Sequence, residues 1–213
     1  MGAVLVGRRC SGVAVTLPGC PEETTEPPAD GGSEGGACKL EYVGNTDAAI
    51  ELEVVALDPD YVAQPFVEGG DLSILYPPQG GRVVFVGVRA KNLDPCAVRL
   101  TGVLRDPASM QVRVDTRTVN LDPTADGWGE SDAGDISTFS NIPVCPNSWA
   151  ETDVFDQTFT MEVHVKDRTG KEADAIFNAV PRCNEAKVVD GLDLQKDCLC
   201  ICKQGYITGE MCQ

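Results

Sequence analysis

The sequence predicts an all-β protein: an antiparallel β-sandwich of about seven to eight strands, followed by a small disulfide-rich C-terminal tail. Three observations lead there. Several runs between residues 39 and 182 alternate apolar and polar side chains with period two. Glycine and proline number 22 and 14 in 213 residues, so turns are frequent. Ten cysteines are many for a reducing compartment. No ten-residue stretch carries an apolar stripe at helical spacing.

The clearest strand is Arg82 to Lys91, RVVFVGVRAK, with Val84, Val86, Val88 and Ala90 on one face and Arg89 and Lys91 on the other. Val98 to Leu104 turns Val98, Leu100 and Leu104 inward, with Arg99 and Thr101 outward. Met110 to Thr116 reads with Met110, Val112 and Val114 inward, and Gln111, Arg113 and Asp115 outward. Thr158 to Lys166 turns Phe159, Met161, Val163 and Val165 inward, and Thr160, Glu162, His164 and Lys166 outward. Glu51 to Ala56, Leu72 to Leu75, Ile136 to Ile142 and Ala173 to Val180 are weaker strands. Alternation with one polar face marks antiparallel sheets packed on one side. Pro77 to Gly81, Asp94-Pro95 and Arg168 to Gly170 supply turns between them. This length and spacing resemble bacterial immunoglobulin-like domains over about two-thirds of the chain. The antibody pattern of Cys, Trp, Cys is absent, and Trp128 and Trp149 both fall in loop-like sequence.

The chain begins MGAVLVGRRCSGVAVTLPGC, with Arg8 and Arg9 ahead of an apolar run that ends Leu17-Pro18-Gly19-Cys20. This resembles the lipobox of bacterial lipoproteins, which implies that Cys20 is acylated and becomes the first mature residue. Pro21 to Ala37 follows with five acids, three prolines, four glycines and no base. Such a segment cannot bury enough surface to offset its chain entropy and is expected to be a disordered tether. A diacylglycerol on Cys20 supplies the two acyl chains that stable anchoring needs. The expected organisation is a leader over 1–20, an acidic tether over 21–37, a β-sandwich over 38–182 and a Cys-rich tail over 183–213. The expected location is extracytoplasmic: the bacterial cell envelope, outer membrane-anchored or secreted. No apolar segment reaches the length of a membrane-spanning helix, and no Asn-x-Ser/Thr glycosylation site occurs.

The formal net charge is −16, which repels nucleic-acid phosphates and anionic lipid headgroups. Nucleic acid is therefore excluded as a partner, and membrane contact is expected through the lipid anchor only. If the leader removes Cys10 and acylation occupies Cys20, then Cys38, Cys96, Cys145, Cys183, Cys198, Cys200, Cys202 and Cys212 remain, an even set suited to four disulfides. Cys96 is expected to pair with Cys145, because both lie in the central β region at strand ends. A bridge from Cys38 to the C-terminal cluster would close the domain's ends. From Cys200 the string C-x-C-x-x-G-[aromatic]-x5-C, with Gly205, Tyr206 and Cys212, resembles the second half of an EGF-like module. That resemblance implies a small stapled tail. Cys198, Cys200 and Cys202 as thiolates clamping zinc or copper(I) are the alternative.

Chemistry is sparse. His164 is the one histidine, so a Ser-His-Asp or Cys-His site would have to use it, and no phosphate loop or nucleophile elbow occurs. No catalytic residue is assigned and no cofactor is expected. Asn120 to Asp135 concentrates Asp122, Asp126, Glu130, Asp132 and Asp135 without a base, an oxygen-rich loop of the kind that suits calcium. Trp128 stands between Gly127 and Gly129 as an aromatic loop residue placed for partner contact. The expected function is a non-enzymatic surface-binding or envelope module with a protein or carbohydrate ligand. The alternative is a calcium- or carbohydrate-dependent adhesion domain using the 120–135 loop.

Overall fold

In the computed structural model, which describes residues 38–148 and 150–212, the alternating runs become thirteen strands among the described residues. They are β1 (Glu51–Leu57), β2 (Ala63–Pro65), β3 (Gly70–Ser73), β4 (Arg82–Lys91), β5 (Val98–Arg105), β6 (Val112–Val119) and β7 (Asp122–Pro123). They continue as β8 (Gly129–Glu130), β9 (Ser140–Cys145), β10 (Phe159–Lys166), β11 (Glu172–Arg182), β12 (Val188–Val189) and β13 (Leu192–Asp193). One helix, α1 (Leu194–Ile201), closes the order. The leader-like segment with Cys10 and Cys20, the acidic tether and Trp149 lie outside the described residues. Among the described residues no helix is long and apolar enough to cross a membrane.

The strands form two packed sheets. The first runs β2-β1-β4-β8-β7, with β9 sharing the second edge of β4 beside β8. The second runs β3-β11-β10-β5-β6, antiparallel except where β3 joins β11 in parallel. The hairpin β12–β13 leads into α1. Between the sheets lie the alternate residues that the sequence turns inward: Val84, Val86, Val88, Leu100, Leu104, Met161 and Val163 are all fully buried. The β4 strand is also covered on its outer face, where Phe85 packs with Leu57, Leu75 and Phe139. Phe139 lies over Gly87, where an added Cβ would sit 2.5 Å from its ring. A side chain at Gly87 and the Phe139 ring therefore compete for one space.

The β6 strand reverses its expected facing. Met110, Val112 and Val114 are 60%, 42% and 50% exposed, whereas Arg113 is only 7% exposed. At this sheet edge the inner face meets the backbone of β9, not apolar core. Arg113 donates to Val144 O at 3.3 Å and to Asn147 Oδ1 at 3.2 Å, and its guanidinium lies 5.9 Å from the Phe159 ring centroid. Asp115 accepts from the Asn141 amide at 2.8 Å. Because side chains alternate, these inward partners force the valines outward. Two weaker strands shift as well. The 72–75 run is strand only from Gly70 to Ser73, and the 136–142 run starts as a 3₁₀ turn capped by Asp135 before β9 begins.

The eight cysteines of the described residues form four bridges: Cys38–Cys96, Cys145–Cys202, Cys183–Cys198 and Cys200–Cys212. The expected Cys96–Cys145 pair is corrected. Cys145 lies opposite Arg82 at the start of β4, while Cys96 follows the strand's other end. A ten-residue strand separates them by about 30 Å, far beyond the reach of a disulfide. Cys38 likewise pairs with nearby Cys96 and not with the C-terminal cluster. Cys198, Cys200 and Cys202 are all bridged, so no thiolate is left there to clamp a metal.

The C-terminal segment is docked on the sandwich. Asp193 caps α1 by accepting from the Lys196 amide at 3.1 Å, and the helix buries Leu194 and Cys198. Ile201 O accepts from Asn147 N at 2.8 Å and Cys202 O from Val154 N at 3.0 Å. Beneath α1 lies Arg82, fully buried. It donates to Glu185 Oε2 at 3.1 Å, to Asp197 Oδ2 at 2.8 Å and to Leu194 O at 2.5 Å. The Tyr76 ring covers it at 5.1 Å, and the Tyr76 amide donates to the same Glu185 oxygen at 2.9 Å. Burial pushes the Glu185 carboxyl above its ordinary value, against the pull of the Tyr76 amide and Arg82.

Gly87→Ala is expected to cost about 1–3 kcal/mol in denaturant unfolding, because the methyl group displaces Phe139 from the outer face of β4. A neutral substitution would mean that Phe139 does not fix this close approach.

Candidate functional site

The acidic segment folds as two separate pieces. In the first, a turn from Thr124 to Trp128 is closed by Thr124 N donating to Trp128 O at 2.7 Å and Gly127 N to Thr124 O at 3.1 Å. Gly127 takes φ +80 there, a left-handed conformation that glycine adopts without strain. The turn lays the segment on the outer face of the first sheet, over Arg89 and Lys91 of β4. Arg89 is the hub of that face. It donates to Glu53 at 2.8 Å, pairs with Asp126, and lies 3.7 Å from a Glu130 oxygen. Its guanidinium sits 4.6 Å from the Trp128 ring centroid, and Lys91 Nζ sits 4.8 Å from it. The Thr124 hydroxyl, together with Arg89, holds the Asp126 carboxyl below the usual carboxylate range.

Trp128 is thus a half-buried plate stacked with two cations and not a free loop tip. The indole and the surrounding charges form one polar surface on the outer face of the first sheet.

In the second piece, Asp132 accepts from the Gly134 amide at 2.8 Å, and Asp135 caps its 3₁₀ turn by accepting from Ser137 N at 2.9 Å. Hydroxyl and amide of Ser137 together hold the Asp135 carboxyl below its ordinary value. Asp122, Asp132 and Asp135 line one open cleft of about 310 Å³ with Asn120, Ser137 and Thr138. The five acids that the sequence groups as one calcium loop are therefore spread over two open hollows. Asp126 and Glu130 pair with Arg89, and Asp122, Asp132 and Asp135 border the cleft; Asp122 and Asp132 also meet Glu130 in a second hollow of about 390 Å³ beside Arg89. No three of them bring oxygens within 4.8 Å of one another, and among the described residues only Cys183, Cys198 and Cys202 cluster so closely, as members of two bridges.

His164 lies on the outer face of the second sheet, as its periodicity predicts. Cross-strand register places Asp174, His164, Thr101 and Thr116 in one row over four strands. His164 Nδ1 is 2.5 Å from Asp174 Oδ1, while Nε2 is 3.7 Å from Glu162. The Thr101 and Thr116 hydroxyls bond each other at 2.9 Å. Arg99, Lys166 and Glu172 complete a shallow cleft of about 390 Å³. Arg99, Thr101, His164 and Lys166 read as outward from sequence, Thr116 takes the parity expected to face inward, and only the pairing register brings the row together. Cys20, the expected acylation site, lies outside the described residues.

Because local caps and Arg89 engage four of the five acids, millimolar calcium is expected to move the thermal midpoint by less than about 1 °C. A saturable rise of several degrees would assign the Asp122–Asp132–Asp135 cleft to the ion.

No family model matches this chain, and neither a curated protein nor a solved structure matches it.

Proposed function

We propose that this chain is a non-enzymatic extracytoplasmic binding module, a β-sandwich held at the bacterial cell envelope by a lipid anchor on Cys20. The observation that carries the reading is the distribution of the cysteines. All eight in the described residues are bridged, and the two that remain are Cys10 and Cys20, the pair that leader removal and acylation would account for. Four bridges form and persist in an oxidising compartment, which supports maturation outside the cytoplasm.

Binding rather than catalysis is supported by the character of the polar faces. The one histidine sits on an open sheet, 43% exposed, with the neighbouring Thr101 hydroxyl committed to Thr116. The Trp128–Arg89–Lys91 surface offers a pre-set aromatic and hydrogen-bonding platform, chemistry that suits a protein or a carbohydrate partner.

The test is intact mass of the native protein from envelope fractions, before and after reduction with thiol alkylation. The expected result is a diacylglycerol-bearing terminus at Cys20 and eight thiols that alkylate only after reduction. Eight thiols that alkylate in the native protein would contradict the extracytoplasmic reading, and an unmodified Cys20 would contradict the anchor.

A further inference from the structure

Sheet edges invite strand addition, and this fold protects its edges unequally. In the first sheet the outer strands each contain a proline: Pro65 in β2, Pro123 in β7 and Pro143 in β9. Proline removes the amide that an incoming strand would need. In the second sheet one edge is β3, only four residues long, which covers Ala179 to Arg182 of β11; the uncovered stretch of β11 carries Glu172 and Asp174 on its outer row. The other edge is β6, eight residues, VRVDTRTV, without proline, glycine or lysine. Its inward charges do not guard it, because Arg113 and Asp115 are bonded to β9 and its flank within the chain, and Arg117 to Asp115.

The backbone phase of β6 can be read from Ser140. Its Oγ accepts from Gly102 N at 3.2 Å and donates to Asp115 O at 3.1 Å. Gly102 and Asp115 are cross-strand partners, so their peptide groups face each other across the β5–β6 ladder. In an antiparallel pair the alternate residues turn the other way. Val112, Val114, Thr116 and Thr118 therefore direct their N–H and C=O groups to the open edge, and their side chains form its solvent row. That row is uncharged. The corresponding rows on β1, β5, β10 and β11 carry Glu51 and Glu53, Arg99 and Arg105, Glu162 and Lys166, and Glu172 and Asp174. Beside the edge, an open groove of about 470 Å³ is lined by Val112, Val114, Pro143, Val144 and Pro146.

We propose that β6 is a homodimer edge, pairing antiparallel with β6 of a second copy about a two-fold axis at Val114. A chain of net charge −16 can approach its own copy only where like charges do not meet, and this neutral row is such a place. The two-fold sets Val114 against Val114, Val112 against Thr116, and Arg113 against Asp115 of the other copy, an opposite-sign pair. The contact is isologous and closes at two copies, since the remaining edges are short, hold proline or, where β1 and β11 are uncovered, carry the like charges Glu51 and Glu53 or Glu172 and Asp174.

The test is sedimentation and light scattering of the full chain, with Cys10→Ser and Cys20→Ser to exclude acylation and intermolecular bridges. The expected result is a monomer–dimer equilibrium between about 1 µM and 1 mM that tightens as sodium chloride screens the net charge. Val114→Lys is expected to weaken it at least about tenfold, and so is Val114→Pro, which removes an outward amide without touching the β5 ladder. Circular dichroism checks that both variants keep the sheet, and the lysine variant alone decides the matter if the proline variant unfolds. A wild-type chain that stays monomeric through 1 mM, or a dimer that survives the folded variants, overturns the proposal.

Discussion

A single buried guanidinium joins the parts of this fold that are far apart in sequence. Arg82 opens the central strand of the first sheet, Glu185 follows the last long strand, and Asp197 rides on the C-terminal helix. Removing a guanidinium from water costs several kcal/mol, and that cost is offset only if its donors are well placed and its partners remain. Here Nη1 reaches Glu185, while Nε and Nη2 reach Asp197 and the Leu194 carbonyl. Loss of α1 would strip two of the three acceptors from a buried charge. The helix is too short to persist alone, at eight residues. Each element therefore depends on the other.

The disulfides secure the same junction. Cys145 lies opposite Arg82 in the β4–β9 register and is bridged to Cys202, just beyond α1. Cys183, two residues before Glu185, is bridged to Cys198 on the helix. The Cys198 and Cys202 sulfurs come within 3.9 Å, so the two bridges lie side by side. In the chain-entropy account, loops of 57 and 15 residues each contribute about 3–4 kcal/mol by restricting the unfolded chain. The charge cluster selects one docked geometry, and the bridges limit how far the segment can depart from it.

How much of this was legible in the sequence depended on whether a residue's neighbours along the chain or across the fold decided its place. Strands β5 and β10 were readable because their faces follow one parity, apolar inward and polar outward, and so was the inward valine row of β4; the burial of its outward Phe85 under Leu57, Leu75 and Phe139 was not. Arg82 shares the inward parity of β4, but nothing near it in sequence explains a buried charge there, because its partners lie 103 and 115 residues away. On β6, Val112 and Val114 obeyed period two and still faced solvent, because Arg113 and Asp115 find their partners on the β9 side. Cysteine pairing was illegible for the same reason: strand length and register decide it, and spacing does not. The acidic segment was correctly placed at the surface, but its division depended on Arg89, whose reach over a neighbouring loop no local pattern encodes. The Asp174–His164–Thr101–Thr116 row needed three strand registers before it existed at all.

Through the Arg82 cluster, α1 and β4 form one cooperative unit. Native-state hydrogen exchange reads that cooperativity. The best-protected amides of α1 are expected to open with a free energy within about 1 kcal/mol of those in β4, as parts of one unit do. A helix whose amides open several kcal/mol more easily than β4, with the bridges intact, would contradict it.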